Sequence, residues 1–178
     1  MIQANDIRDL RPKDEETQQL IAKLARLRQR RSRFYLTAGE FDKILRWKLR
    51  GQYGRVRRLL VQNDEKTVRT VTGAALTITH DDKDDELELR VGVLCTLRGV
   101  GVPVASAVLA LVFPKEYGVI DFRVWRQLFG EERRGFSIRD YKRYVAKLRE
   151  IAAKLRWPVQ EVDLAIWQYD RNHAAHVA

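Results

Sequence analysis

One cysteine, Cys95, stands among 178 residues, so the chain cannot bridge itself with a disulfide or build a four-cysteine zinc or iron–sulfur site. Histidine is almost as scarce. His80, His173 and His176 show no partner pattern of a metal site or a catalytic triad, and no cofactor is implied. With 4 Pro and 10 Gly there is no low-complexity tract, and 45% hydrophobic with 33% charged residues describes a chain that folds throughout. Apolar runs long enough to cross a bilayer, roughly 20 residues, are missing. Residues 1–14 lack the apolar segment of a secretory signal. These absences lead us to expect a soluble, cytoplasmic monomer, one domain in size or two small lobes sharing a cleft, with no membrane association. Cys95, in an apolar stretch, is expected in the core.

Acidic residues are in deficit: 34 Lys and Arg stand against 24 Asp and Glu, a formal net charge of +10. The excess is local. Residues 22–58 hold thirteen basic side chains, among them Lys23, Arg26, Lys43, Lys48, Arg50 and Arg57, against two acids, Glu40 and Asp42. Such a run either solvates exposed helix faces or displaces the counterions condensed on phosphates. A membrane surface fits less well, because no helix pairs the basic face with a broad exposed apolar one.

Apolar periodicity predicts an all-α fold. Leu20, Ile21, Leu24 and Leu27 recur at helical spacing over 15–31. Thr37-Ala38-Gly39-Glu40 has the form of a capping box opening a helix to about Leu49. Gly51 and Gly54 interrupt the pattern before 55–62, and Asn63-Asp64 offers an N-cap for a helix through about Ile78. Acids from Asp81 to Glu86 suit the positive end of a helix dipole, and that helix continues to Leu97. Residues 102–113 are nearly all apolar, and their length and alanines favour a buried helix over a strand. Pro114 ends it, and Asp121 can cap a short helix over 122–129. A helix over 137–155 and a last one from Pro158 to about Tyr169 complete the chain.

The most specific pattern is Leu97-Arg98-Gly99-Val100-Gly101 between two helices. Glycines there permit backbone angles that side chains resist, and the amides of Gly99, Val100, Gly101 and Val102 form a small nest able to hold a phosphate oxygen. With this run, and with Val119-Ile120-Asp121-Phe122-Arg123-Val124-Trp125-Arg126 beyond it, residues 97–126 resemble the helix-hairpin-helix DNA glycosylases that carry a Gly/Pro-rich loop and a catalytic aspartate. The family's aspartate lies about as far beyond its hairpin glycines as Asp121 lies beyond Gly101. The resemblance implies a helical bundle of two small lobes around a cleft, double-stranded DNA as partner, a nucleoid-associated protein, and base-excision repair by hydrolysis of an N-glycosidic bond. Asp121 would then be the carboxylate that stabilises positive charge on the sugar once the nucleotide is flipped out of the stack.

Members that also cut the strand carry a lysine just after the hairpin glycines, where this chain has Pro103, so the resemblance implies a monofunctional enzyme that uses water. Lys48, beside Trp47 on a helix the family packs against the cleft, is the amine that would upset that conclusion. Arg50, Gln52 and Tyr53 fall where the family places a turn entering the minor groove, with Gln52 or Tyr53 filling the gap left by the flipped base. Trp47, Trp125 and Trp167 are candidate walls of a base pocket, and Trp167 and Tyr169 lie where terminal helices close the family's cleft. Ordinary roles stand beside each of these: a helix cap for Asp121, a solvated or phosphate-contacting amine for Lys48, core packing for the tryptophans. A non-catalytic hairpin DNA-binding protein, and a basic scaffold for RNA or protein, are the competing functions.

Overall fold

The computed structural model describes residues 1–10 and 14–174; His176 lies outside them. Among the described residues the secondary structure is helical: α1 (Ala4–Ile7), α2 (Glu15–Arg30), α3 (Ala38–Leu49), a 3-10 turn (Arg50–Gln52), α4 (Tyr53–Leu60), α5 (Glu65–Thr77), α6 (Lys83–Leu94), α7 (Val102–Val112), α8 (Phe122–Phe129), α9 (Ile138–Leu155) and α10 (Val159–Ala174). The all-α expectation holds.

Local chemistry sets most boundaries. At α3 the capping box is complete: Thr37 Oγ1 accepts from the Glu40 amide at 3.2 Å and Glu40 Oε2 accepts from the Thr37 amide at 2.9 Å. The same Glu40 carboxylate takes a two-pronged bond from Arg31 at 2.8 Å on each oxygen, which fixes the corner between α2 and α3. Asp64, Asp82 and Ser137 cap α5, α6 and α9 through their own side chains. α6 is shorter than the sequence suggested, ending at Leu94 with Cys95 as its C-cap. Cys95 is therefore half-buried at a helix end and not in the core, although burial still pushes its thiol up from the usual range.

α7 is the axis of the molecule. Its residues from Val104 to Val112 are all buried, and it packs against α2, α3, α6 and α9, which explains why its sequence carries no polar face. Helices α2 to α7 form one group, and α8, α9 and α10 form a second. The short α1 joins the second group, contacting α9 and α10, with the Ile2 amide donating to Gln127 O at 2.9 Å. Asp170, 1% exposed, binds α8 to α10 by accepting from Arg123, Arg126 and Gln127. A cleft opens between the two groups.

Candidate active site

The turn between α6 and α7 is fixed from below. Leu97 is buried, and Asn63 makes a reciprocal pair with the Arg98 backbone, accepting from its amide and donating to its carbonyl, each at 2.9 Å. Only Gly99 needs glycine for its dihedral, with φ of +77°. A Cβ there would lie 3.1 Å from Leu59 Cβ. Gly101, at φ −107° and ψ 179°, is extended backbone that any residue adopts, so it serves by leaving the start of α7 uncovered. Val100 departs from its expected role: its amide donates to Leu97 O at 3.1 Å and its side chain is buried, so it anchors the turn and presents no donor. The amides of Gly101 and Val102, at the N-terminus of α7, have no acceptor among the described residues.

From α7 the chain runs through Pro114 into an extended stretch, Tyr117 to Ile120, that is buried throughout. Buried backbone must find partners, and here side chains from four helices supply them. Tyr141 of α9 donates to Gly118 O at 2.9 Å, and Tyr144, one turn on, donates to Val119 O at 3.1 Å. The Val119 amide donates to Asp163 Oδ2 of α10 at 2.9 Å, and the Ile120 amide to Ser106 Oγ of α7 at 3.1 Å. Lys48 of α3 donates from Nζ to Ile120 O at 3.2 Å. Gly118 is required by space: a Cβ would overlap Leu148 Cδ1 and lie 3.1 Å from Asp163 Cβ.

The product of this clamping is the placement of Asp121. It caps α8 with Oδ1, which accepts from the Arg123 amide at 2.9 Å, while Oδ2 has no partner among the described residues. Asp121 lines a cleft of about 670 Å³. One wall is a single face of α10, where Gln160, Asp163, Leu164, Trp167, Gln168 and Arg171 recur at helical spacing. Trp47, Lys48 and Arg50 at the end of α3 form the other wall, with Val119 and Val124 between.

Asp121, Lys48, Arg50, Trp47 and Trp167 are thus brought together, as the sequence led us to expect, and Trp125 is not. It is fully buried between α8 and α9, with Phe129 at 4.3 Å and Phe136 at 5.4 Å between ring centroids, so it is core and no wall of the cleft. The apolar face of α8 pulls it there. Tyr53 is also turned inward: its hydroxyl donates to Asp42 and Arg46 lies 4.3 Å over its ring, whereas Gln52 beside it is exposed, as is Arg50. Tyr169 stacks on His173 at 3.9 Å and does not line the cleft.

Asp163 and Tyr144 escaped the sequence reading. The signal was present in α10, where Asp163 and Asp170 fall among the buried Val162, Ala165 and Ile166, an expensive place for a carboxylate. Burial pushes Asp163 up to about 7, opposed by the Tyr144 hydroxyl, whose one proton Asp163 and Val119 O share as acceptors, by the Val119 amide and by the charge of Lys48. Burial likewise lowers the Lys48 amine, against the pull of Asp121 and Asp163. The site therefore holds one carboxylate with a free oxygen, one that keeps its proton to about neutral pH, and an amine that gives its proton up more readily than an exposed lysine. Among the described residues no group of His, Cys, Asp and Glu could hold a metal ion, and no helix is long and apolar enough to cross a membrane.

No protein-family model, curated protein or solved structure matches the chain.

Proposed function

We propose that this chain is a DNA glycosylase that releases a damaged or modified base from duplex DNA. The observation that carries the reading is the delivery of Asp121, one oxygen free, into a cleft whose volume suits a nucleobase with its sugar. The turn supports it. Ser106, fully buried, donates to Pro103 O at 2.8 Å and accepts from the Ile120 amide, so the N-terminus of α7 and the segment carrying Asp121 share one side chain.

In this reading the amides of Gly101 and Val102 hold a phosphate with the help of the α7 dipole. Arg50 and Arg171 at the cleft add charge, and the nucleotide turns out between Trp47 and Trp167. As the glycosidic bond breaks, the Asp121 carboxylate stabilises the cationic sugar, and Asp163 can protonate the departing base near neutral pH. Water then takes the anomeric carbon.

Asp121→Asn is expected to lower base release by about 100-fold or more while duplex affinity stays nearly unchanged, as read on a panel of duplexes carrying oxidised, alkylated, deaminated and mismatched bases. Equal release by the variant would remove Asp121 from the chemistry. A non-catalytic DNA-binding module is the second reading, favoured by the basic α2–α4 face alone, and it predicts that no duplex in the panel loses a base. A bulky residue at Gly101 would weaken duplex binding in either case; if it does not, measured at two salt concentrations, the turn has no part in DNA binding.

A further inference from the structure

Three successive carbonyls before Asp121 are held by side chains: Gly118 O by Tyr141, Val119 O by Tyr144 and Ile120 O by Lys48. The two tyrosines are not alike. Tyr141 donates to Gly118 O at 2.9 Å and has no second acceptor among the described residues. Tyr144 has two acceptors, Val119 O at 3.1 Å and Asp163 Oδ1. A phenol carries one proton, so a full bond to one weakens the bond to the other. Val119 is buried, and its carbonyl has no other donor among the described residues. The choice follows the charge on Asp163, because an ionised carboxylate is a stronger acceptor than a neutral carboxyl or a peptide carbonyl. While Asp163 keeps its proton, the Tyr144 hydroxyl serves Val119 O. Once that proton is lost, the carboxylate draws the hydroxyl away.

On the reading of Asp121 as the carboxylate that drives excision, on which this rests, we propose that Tyr144 is a positioning residue that makes the delivery of Asp121 depend on the proton of Asp163. With Asp163 neutral, all three carbonyls keep their donors and Asp121 stands firm at the head of α8. With Asp163 ionised, the middle bond is lost and the carboxylate two residues on is less firmly placed. Other groups face Asp163: the Val119 amide, which donates to Oδ2 at 2.9 Å, and Lys48, Asp121 and Tyr141, which act on it through charge. Arg123 and Arg126 of α8 are taken by Asp170, two turns further along α10. Of all these, Tyr144 is the group hydrogen-bonded to both Asp163 and Val119 O. Burial sets the changeover near neutral pH, since it pushes Asp163 up to about 7.

The full chain, labelled with carbon-13, is titrated by NMR from acid to alkaline pH while the Asp163 carboxyl carbon and the Val119 carbonyl carbon are followed. In the unaltered protein the two are expected to move with one midpoint. Tyr144→Phe removes a donor to the ionised form, so the Asp163 midpoint should rise by about one pH unit or more, and the Val119 carbon should stop following it. Tyr141→Phe deletes a backbone bond from the same stretch but no bond to Asp163, and it should leave the midpoint in place. Equal shifts in the two variants, or a Val119 carbon that still follows Asp163 in Tyr144→Phe, would overturn the proposal. Should Tyr144→Phe fail to fold, Asp163→Asn serves: the amide cannot ionise, so the Val119 step should vanish, and its persistence counts against the coupling. Base release on the lesion panel is scored beside these titrations. It should fall several-fold as pH rises through the midpoint, and folded Tyr144→Phe should already be several-fold slower at acid pH; full release there breaks the link to Asp121. If the carbons behave as expected and no duplex loses a base, the glycosylase reading is overturned while the coupling of Tyr144 to Asp163 stands.

Discussion

Asp163 keeps a proton that an exposed aspartate loses near pH 4, because the residue is 5% exposed and the cost of burying a charge outweighs its bonds to the Val119 amide and Tyr144 and the charge of Lys48. At this one site the folded state therefore binds more protons than the unfolded one between about pH 4 and pH 7, so the contribution of Asp163 to stability falls as pH rises through that window. At about 1.4 kcal/mol per tenfold displacement of the proton equilibrium, the ionised form costs on the order of 4 kcal/mol. Asp163→Asn should flatten this slope. Its amide oxygen can still accept from Val119, and its NH2 can donate to the Tyr144 oxygen, whose hydroxyl keeps Val119 O as acceptor. Urea unfolding of both proteins at pH 5 and pH 8 reads the difference, and equal slopes would mean that Asp163 is ionised at pH 5. The residue also marks a limit of the sequence. Asp121 was legible because capping is local and its distance from the glycines is countable along the chain. Asp163 reaches the same cleft from α10, and nothing within a few positions of it announces Val119 or Tyr144 as partners. Trp125 misled for the same reason: an indole ring in sequence does not say which side of its helix faces a cleft.

At the scale of elements, the helix starts at Ala38 and Glu65 were readable because each is written in a side chain that bonds an amide three residues on. Two elements were not. α1 has only 4 residues, too few to hold together by propensity, and depends on Ile2 and Ile7 packing beneath α8–α10. The turn after α3 places Arg50 at φ +43°, a conformation glycine favours, while Gly51 next to it drew attention. The extended Tyr117–Ile120 stretch is the element on which the candidate site depends most. Gly118→Ala forces Leu148, itself fully buried, to move, and overpacking of this kind costs about 1–3 kcal/mol. Because the displaced backbone carries Asp121, base release should fall further than the change in folded fraction accounts for. A thermal melt beside a turnover measurement separates the two, and full activity per folded molecule would show that the stretch tolerates the shift.

Across the whole molecule, charge and shape are divided between the two groups of helices. The basic side chains concentrate on α2–α4, where the neighbouring Lys43 lowers the Lys23 amine from its ordinary value. An anion lying along that face would relieve the repulsion. Duplex binding should weaken steeply with salt, the slope of log affinity against log salt changing by about 0.9 for each phosphate contact. Replacing Arg55, Arg57 and Arg58 of α4 by alanine should then reduce the slope by about 2 to 3. An unchanged slope, read by titration between low and physiological salt, would move the DNA path off this helix. Composition shows the excess of cations, but only folding shows that the acids of α10 line a different surface from the cations of α4. The joint between these regions is Ser106, one hydroxyl shared by the Pro103 carbonyl and the Ile120 amide. It makes the span from the start of α7 to Asp121 a fixed gauge. A duplex gripped at the turn would be measured against the carboxylate from that grip, and a sugar still stacked in the helix and one rotated out of it would stand at different marks on the same ruler.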